Sequence, residues 1–320
     1  MKALLEVRKL GKTYSASSGI FRKRVSELRA VEDISFVLNE KDTLAVVGES
    51  GCGKTTLAKC IIRLTEPSAG ELIFEGEDLT RLSGEKMRQK RRNIQMIYQD
   101  PYSSLNLRMK VGDLFAEPLR AHKLAEGEAL TKTVREMAGM VGLSEEQLSR
   151  YPHQFSGGQR QRIAIGRALI SHPKLILADE PVSALDVSIQ AQILNLLSEL
   201  QETLGLTMLF ISHDLNVVRH ISRQIIVMYL GRVMETGPTE TVFRSPAHPY
   251  TRALMEAVPS LDPDVKKERR LLKGDVLSVA QKPSGCPFAT RCIQVQEKCK
   301  AGIPHVTDLG GGHSASCFLI

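Results

Sequence analysis

The chain has 320 residues, 42% of them hydrophobic and 25% charged, with a formal net charge of +7. That length and balance describe an ordinary globular protein, one large α/β domain with an appendage, and exclude large-scale disorder. No stretch approaches the roughly 20 apolar residues a helix needs to span a bilayer, and the N-terminus lacks a signal-peptide apolar core; the expectation is a cytoplasmic protein that reaches a membrane through a partner.

In chain order, Leu4-Leu5-Glu6-Val7-Arg8, Arg29 to Phe36 and Glu71-Leu72-Ile73-Phe74 read as strands of a twisted sheet, with a polar insertion from Ser18 to Glu27. Tyr14 precedes that insertion; its ring could stack on a purine, although a lone tyrosine is more often ordinary packing. The basic runs Phe21-Arg22-Lys23-Arg24, Lys90-Arg91-Arg92 and Lys266-Lys267-Glu268-Arg269-Arg270 read as solvated faces before they read as contacts to an anionic membrane or nucleic acid.

Leu44-Ala45-Val46-Val47 reads as a buried parallel strand and Leu57 to Leu64 as a helix. The stretch between them, Gly48-Glu49-Ser50-Gly51-Cys52-Gly53-Lys54-Thr55-Thr56, fits G-x-x-x-x-G-K-[ST]. Glycines let such a loop turn tightly and aim its N–H groups inward, and the helix adds the positive end of its dipole, so the loop cradles phosphate oxygens. Lys54 would reach the β- and γ-phosphates and the Thr55 hydroxyl would ligate Mg²⁺.

Asn93 to Gln99 is strand-like up to the break at Pro101, which puts Gln99 at a strand end, where open parallel sheets meet ligands. From Val111 to Leu148 the apolar spacing is helical, with Gly142 as a stop, and reads as a helical insertion. Ser156-Gly157-Gly158-Gln159 opens the helix Ile163 to Ile170; it offers a hydroxyl and free N–H groups to an anion, or a plain N-cap. Lys174 to Ala178 is a buried strand that delivers Asp179 and Glu180. Strand alternation points these two carboxylates to opposite sides, so one suits Mg²⁺ and the other an attacking water. Ser183-Ala184-Leu185-Asp186 precedes an amphipathic helix from Ser188 to Glu202. Thr207 to Ser212 is a further buried strand that ends at His213, a candidate sensor of the γ-phosphate.

The order of these motifs resembles one family over nearly the whole chain, the nucleotide-binding subunits of ATP-binding cassette (ABC) transporters. Phe155-Ser156-Gly157-Gly158-Gln159 is similar to that family's signature pentapeptide, Gln99 to its Q-loop, Ser183 to Asp186 to its aspartate loop and His213 to its switch histidine. The resemblance implies a P-loop NTPase fold of ABC type: a mixed or parallel sheet core over 1–240, a helical subdomain over about 101–165, and a small extension over 241–320. It also implies ATP on Gly48 to Thr56 with its adenine against Tyr14, and Mg²⁺ on Thr55 and Gln99 supported by Asp179. Glu180 would polarise water, and Lys54, Gln99 and His213 would complete the catalytic set. Gln159 and Asp186 would belong to the nucleotide-binding set, and Ser156, Gly157 and Gly158 would face the ATP of a second nucleotide-binding subunit, so two subunits close on two ATP molecules.

Narrower details resemble the oligopeptide, dipeptide and nickel importers. They are Tyr98 to Asn106, Ser245-Pro246-Ala247-His248-Pro249-Tyr250-Thr251-Arg252-Ala253-Leu254, and Gly285-Cys286-Pro287-Phe288-Ala289-Thr290-Arg291-Cys292. That group implies two integral-membrane permease subunits, an extracytoplasmic solute-binding protein acting indirectly, and a place on the cytoplasmic face of the inner membrane. Tyr98, Tyr102 and Phe115 are candidates for the groove that receives the permeases. Cys286, Cys292, Cys299 and Cys317 have the form C-x5-C-x6-C-x17-C and lack the tight C-x2-C of zinc knuckles. An iron–sulfur cluster comes first for them, then zinc, free thiols and disulfides. The competing reading is a soluble ABC-type ATPase acting on nucleic acid with a structural metal module; the small net charge speaks against nucleic acid as a partner.

Overall fold

The computed structural model describes residues 2–18, 24–257 and 282–320. The basic run 266–270 and most of the run 21–24 lie outside the described residues. In chain order the strands are β1 Ala3–Ser18, β2 Arg24–Asn39, β3 Thr43–Val47, β4 Ala69–Phe74, β5 Glu77–Asp78, β6 Ile94–Ile97, β7 Leu175–Asp179, β8 Thr207–Ser212, β9 Gln224–Tyr229, β10 Arg232–Pro238, β11 Val306–Gly310 and β12 His313–Ser316. The helices are α1 Lys54–Ile61, α2 Gly84–Asn93, α3 Pro101–Ser104, α4 Val111–Ala121, α5 Gly127–Met140, α6 Gly157–Leu169, α7 Val187–Leu204, α8 Leu215–Ile221, α9 Thr239–Arg244, α10 Pro249–Ala257 and α11 Glu297–Ala301. This is the mixed α/β architecture that the sequence predicts.

The chain divides into two compact units, the first built from Met1–Lys2, Asn39–Asp42 and Arg81–Ile211. In it β6, β7 and β8 run parallel in that order, with Ile94 opposite Leu175 and Leu175 opposite Thr207. Every residue of β7 and β8 is buried, as continuous apolar runs must be in a parallel sheet covered on both faces. The predicted helical insertion is two α-helices, α4 and α5, followed by a 3-10 turn at Glu145–Ser149. Their buried positions, among them Val111, Leu114, Phe115 and Leu119, recur at helical spacing. Phe115 is fully buried, because a Cβ on Gly166 of α6 would lie 2.7 Å from its ring Cζ and the glycine leaves that room. It is therefore a core residue and does not line a docking groove, contrary to the sequence expectation.

The second unit comprises Ala3–Leu38, Thr43–Thr80 and Ser212–Ile320. It carries the antiparallel sheet β2-β1-β4-β5 and the run β11-β12-β10-β9-β3. At its two ends the polar segment is strand, since β1 continues to Ser18 and β2, its neighbour in the sheet, begins at Arg24; 19–23 lie outside the described residues. β3 runs parallel to β9, with Ala45 opposite Ile225, while β9 and β10 form a hairpin closed at Tyr229 and Arg232. β12 then adds antiparallel to β10, with Glu235 opposite Ala315. The C-terminal segment thus extends the unit's own sheet.

Glu235 is the polar hub of that junction and has no solvent exposure. Its carboxylate accepts the N–H groups of Ala247 and His248, both at 2.8 Å, and faces His313 Nε2 at 2.7 Å. His248 Nδ1 in turn accepts the Tyr250 N–H at 3.0 Å, which requires that nitrogen to be unprotonated. Burial, and secondarily Arg252, lowers the His248 pKa from its ordinary 6.5 to about 4. A histidine with a depressed folded-state pKa stabilises the fold fully above its unfolded value and loses that contribution as pH falls toward the folded value. The melting temperature is therefore expected to fall between pH 6.5 and about 4. His248→Asn, whose amide oxygen can still accept from Tyr250, should show a shallower fall over that window. Parallel melting curves for the two proteins would remove His248 from this role.

Candidate nucleotide site

In the second unit, β3 delivers the chain into Gly48 and α1 begins at Lys54, so the helix starts three residues earlier than the apolar spacing suggests. Gly53, the N-cap, has φ 107° and lies so close to Ala30 that a Cβ would stand 2.2 Å from the Ala30 carbonyl oxygen. No other residue type fits that turn. Lys54 is 5% exposed. Its Nζ donates to the carbonyl oxygens of Gly48 at 2.8 Å and Glu49 at 3.1 Å, which wraps the loop around the ammonium. Thr55 and Thr56, on the first turn of α1, are half-buried, and Ser50 and Gly51 are exposed at the loop tip. Cys52 is buried, and its carbonyl accepts the Gly231 N–H at 2.8 Å, which supports the loop from β10's side. Tyr14 is 39% exposed and already carries the Lys12 ammonium 4.9 Å from its ring centroid.

Two contacts of this loop were not legible in the sequence. The Glu49 carboxylate accepts from Arg291 Nη1 at 2.6 Å and Nη2 at 3.0 Å, and the Glu49 N–H donates to Tyr250 Oη at 3.0 Å. Both partners belong to the motifs that resemble the importer group, but nothing in their spacing says that they close on Gly48 to Thr56. His213, which follows β8, is exposed.

In the first unit, β7 stops at Asp179, which is 4% exposed. Glu180 leaves the strand with φ 47°, a left-handed conformation, and its N–H donates to the Ile211 carbonyl at 3.0 Å. The two carboxylates do occupy different environments, but a backbone turn separates them rather than the strand alternation predicted. Such a φ on a glutamate is uncommon and strained. Gln99 Nε2 donates to Glu180 Oε2 at 3.1 Å and lies 3.4 Å from Ser183 Oγ. The strand-end glutamine, the second carboxylate and the first residue of the Ser183 to Asp186 loop thus meet at one point. Asp186 caps α7 through its backbone and is exposed.

Ser156 Oγ accepts the Gln159 N–H at 3.3 Å, and Gln159 Oε1 accepts the Ser156 N–H at 3.1 Å, a reciprocal capping box. Ser156 is exposed, and Gly157 and Gly158 form the first turn of α6. Tyr102 is 47% exposed with the Arg160 guanidinium 5.0 Å over its ring, and burial pushes the Tyr98 phenol up.

The metal expected on Cys286, Cys292, Cys299 and Cys317 is not supported. Among the described residues no group of three or more His, Cys, Asp or Glu side chains is arranged to hold a metal ion, and the four are free thiols. Burial is the main reason the Cys286 thiol is pushed up to about 11, with Cys299, Cys317 and Cys292 adding to it. Cys292 and Cys317 are raised for the same first reason.

Comparison with known proteins agrees with the motifs. The family described as "ABC transporter" matches residues 31–183, and the one described as "Oligopeptide/dipeptide transporter, C-terminal region" matches residues 234–299. The chain is 47% identical over 321 residues to the "Oligopeptide transport ATP-binding protein AppF" of Bacillus subtilis, covering 99% of this chain and 98% of that protein. It is 48% identical over 323 residues to the "Oligopeptide transport ATP-binding protein OppF" of Haemophilus influenzae, covering 99% and 97%. Among solved structures, an ATP-binding cassette described as a dimer in a post-hydrolysis state bound to ADP and Pi has a TM-score of 0.65 at 29% identity, covering 73% of this chain and 98% of that one. The cbiO1 protein of Clostridium perfringens, described as part of an ABC transporter complex, has a TM-score of 0.66 at 27% identity, covering 77% and 92%. These likenesses do not favour the nucleic-acid reading, and the chain belongs to the ABC transporter family as an ATP-binding subunit of the oligopeptide/dipeptide transporter group.

Proposed function

We propose that this chain is the ATP-hydrolysing subunit of a membrane importer for peptides or a related small solute. The observation that carries this reading is that close relatives named for oligopeptide transport match it from end to end, C-terminal region included. No helix among the described residues is long and apolar enough to cross a membrane; the chain would act peripherally, on the cytoplasmic face, bound to two permease subunits. A solute-binding protein would deliver cargo on the other side.

The roles we assign follow each residue's chemistry. Lys54 and the N–H groups of Gly48 to Thr56 bind the β- and γ-phosphates, and Tyr14 offers its ring to the base. Thr55, Gln99 and Asp179 are assigned to Mg²⁺, which when bound draws charge from the phosphate oxygens. The nearly buried Asp179 carboxylate and the hydroxyl on the first turn of α1 are the oxygen donors that a hard cation takes. Glu180 accepts a proton from the attacking water, with Gln99 holding its carboxylate, and His213 contacts the γ-phosphate. Ser156 to Gln159 and Asp186 are assigned to the nucleotide of a second, identical or related subunit.

Co-expression with permease chains of the oligopeptide/dipeptide importer type tests this. The expected result is a complex that survives detergent purification and hydrolyses ATP faster when peptide-loaded binding protein is added. Salt-sensitive DNA binding with no permease retained would overturn it.

A further inference from the structure

We propose that the C-terminal segment is a clasp on the phosphate loop, in which Arg291 is a positioning residue that sets nucleotide affinity through Glu49. This rests on reading Gly48 to Thr56 as the nucleotide cradle and adds what holds that cradle in shape.

Every polar group of Glu49 has a partner. Its N–H goes to Tyr250 Oη, its carbonyl receives Lys54 Nζ, and its carboxylate takes both terminal nitrogens of Arg291. Two of these three partners lie 201 and 242 residues away in sequence. The third is the ammonium assigned to the phosphates, so Arg291, Glu49 and Lys54 form one unbroken chain of contacts. The ion pair is sheltered, with side chains 6% and 18% exposed for Arg291 and Glu49, and its two-pronged geometry fixes direction as well as charge.

The clasp is anchored on its far side. Arg291 Nη1 also lies 3.3 Å from Tyr229 Oη. Tyr229, Tyr250 and Phe288 pack ring to ring, with centroids 4.7 to 5.4 Å apart. The Cys286 N–H donates to the Cys299 carbonyl at 2.8 Å, closing the loop that bears Arg291 onto α11. Two more residues of the segment hold acidic residues of the same unit: Lys282 pairs with Glu32, and His313 Nε2 lies 2.7 Å from Glu235 Oε1.

The electrostatic logic is specific. A carboxylate on a loop that receives a polyphosphate repels its ligand unless a cation neutralises it, and at low exposure that repulsion is poorly screened. Arg291 does this for Glu49 and pins the loop backbone at the same time.

The test uses the full-length chain and Mg-ATP titrated calorimetrically. Arg291→Met should weaken binding about tenfold, the loss expected for one charge-assisted contact, and should appear in KM for ATP more than in kcat. The double variant Arg291→Met/Glu49→Gln should bind more tightly than Arg291→Met alone, because the unpaired carboxylate is gone. Amides of residues 49 to 53 should exchange hydrogen faster in Arg291→Met. A folded Arg291→Met with affinity within twofold of wild type, or a double variant weaker than both single ones, would overturn the clasp. Should Arg291→Met not fold, Tyr250→Phe, which removes one oxygen atom, decides: faster Glu49 amide exchange supports the proposal and unchanged exchange overturns it. Lys54→Ala separates the two readings, since unaltered ATP affinity there sinks the cradle itself, whereas lost affinity there with an unaffected Arg291→Met sinks the clasp alone.

Discussion

Glu180→Gln is expected to keep ATP affinity within a few fold of wild type and to cut hydrolysis by about two to four orders of magnitude, the span usual for loss of a positioned general base. Glu180 sits just past β7 with a left-handed φ of 47°, its N–H tied to the Ile211 carbonyl and its carboxylate met by Gln99 Nε2 at 3.1 Å. A glutamine of the same shape accepts the Gln99 N–H through its amide oxygen and leaves the backbone untouched. What it removes is the basic lone pair, so chemistry alone should change. With ATP present, size-exclusion chromatography should show a larger dimer fraction for the variant than for the wild type. Phosphate release measured under saturating Mg-ATP checks the rate. Turnover near wild type would take the water-activating role away from Glu180.

The strained φ explains part of what the sequence did and did not disclose. Buried runs such as Leu175 to Asp179 and Thr207 to Ser212 are legible because a parallel sheet covered on both faces demands unbroken apolar residues. Gly48 to Thr56 is legible because the φ of 107° at Gly53 and the approach of Ala30 admit only glycine there. Alternation, however, rightly separates Asp179 from Glu180 for a reason that does not apply, since the strand has ended before Glu180. Phe115 looked like a docking aromatic because spacing says which residues share a helix face, not which face is covered; Gly166 on α6 covers it. The least legible contact was Arg291 to Glu49. Long-range ion pairs leave no local pattern, and neither residue's own motif points to the other.

The other large effect belongs to Lys54. Lys54→Ala is expected to lower ATP affinity by about a hundredfold, the loss of one to two charge-assisted contacts to phosphate. Equilibrium titration with a fluorescent ATP analogue would measure it. Lys54 is 5% exposed and fills the inside of the loop, its Nζ held by the Gly48 and Glu49 carbonyl oxygens. Alanine therefore removes both the charge assigned to the phosphates and the bonds that draw the loop closed. Lys54→Arg divides these contributions: it keeps the charge but carries a planar fork that a loop shaped around a compact ammonium has no room to seat. Affinity close to that of Lys54→Ala would mean that loop shape dominates, and affinity close to wild type would mean that charge does. The contrast with Glu180→Gln is the sharper consequence. One substitution in the second unit should weaken binding, and one in the first should spare binding and slow the reaction; a Lys54→Ala protein that binds ATP normally would contradict the cradle directly.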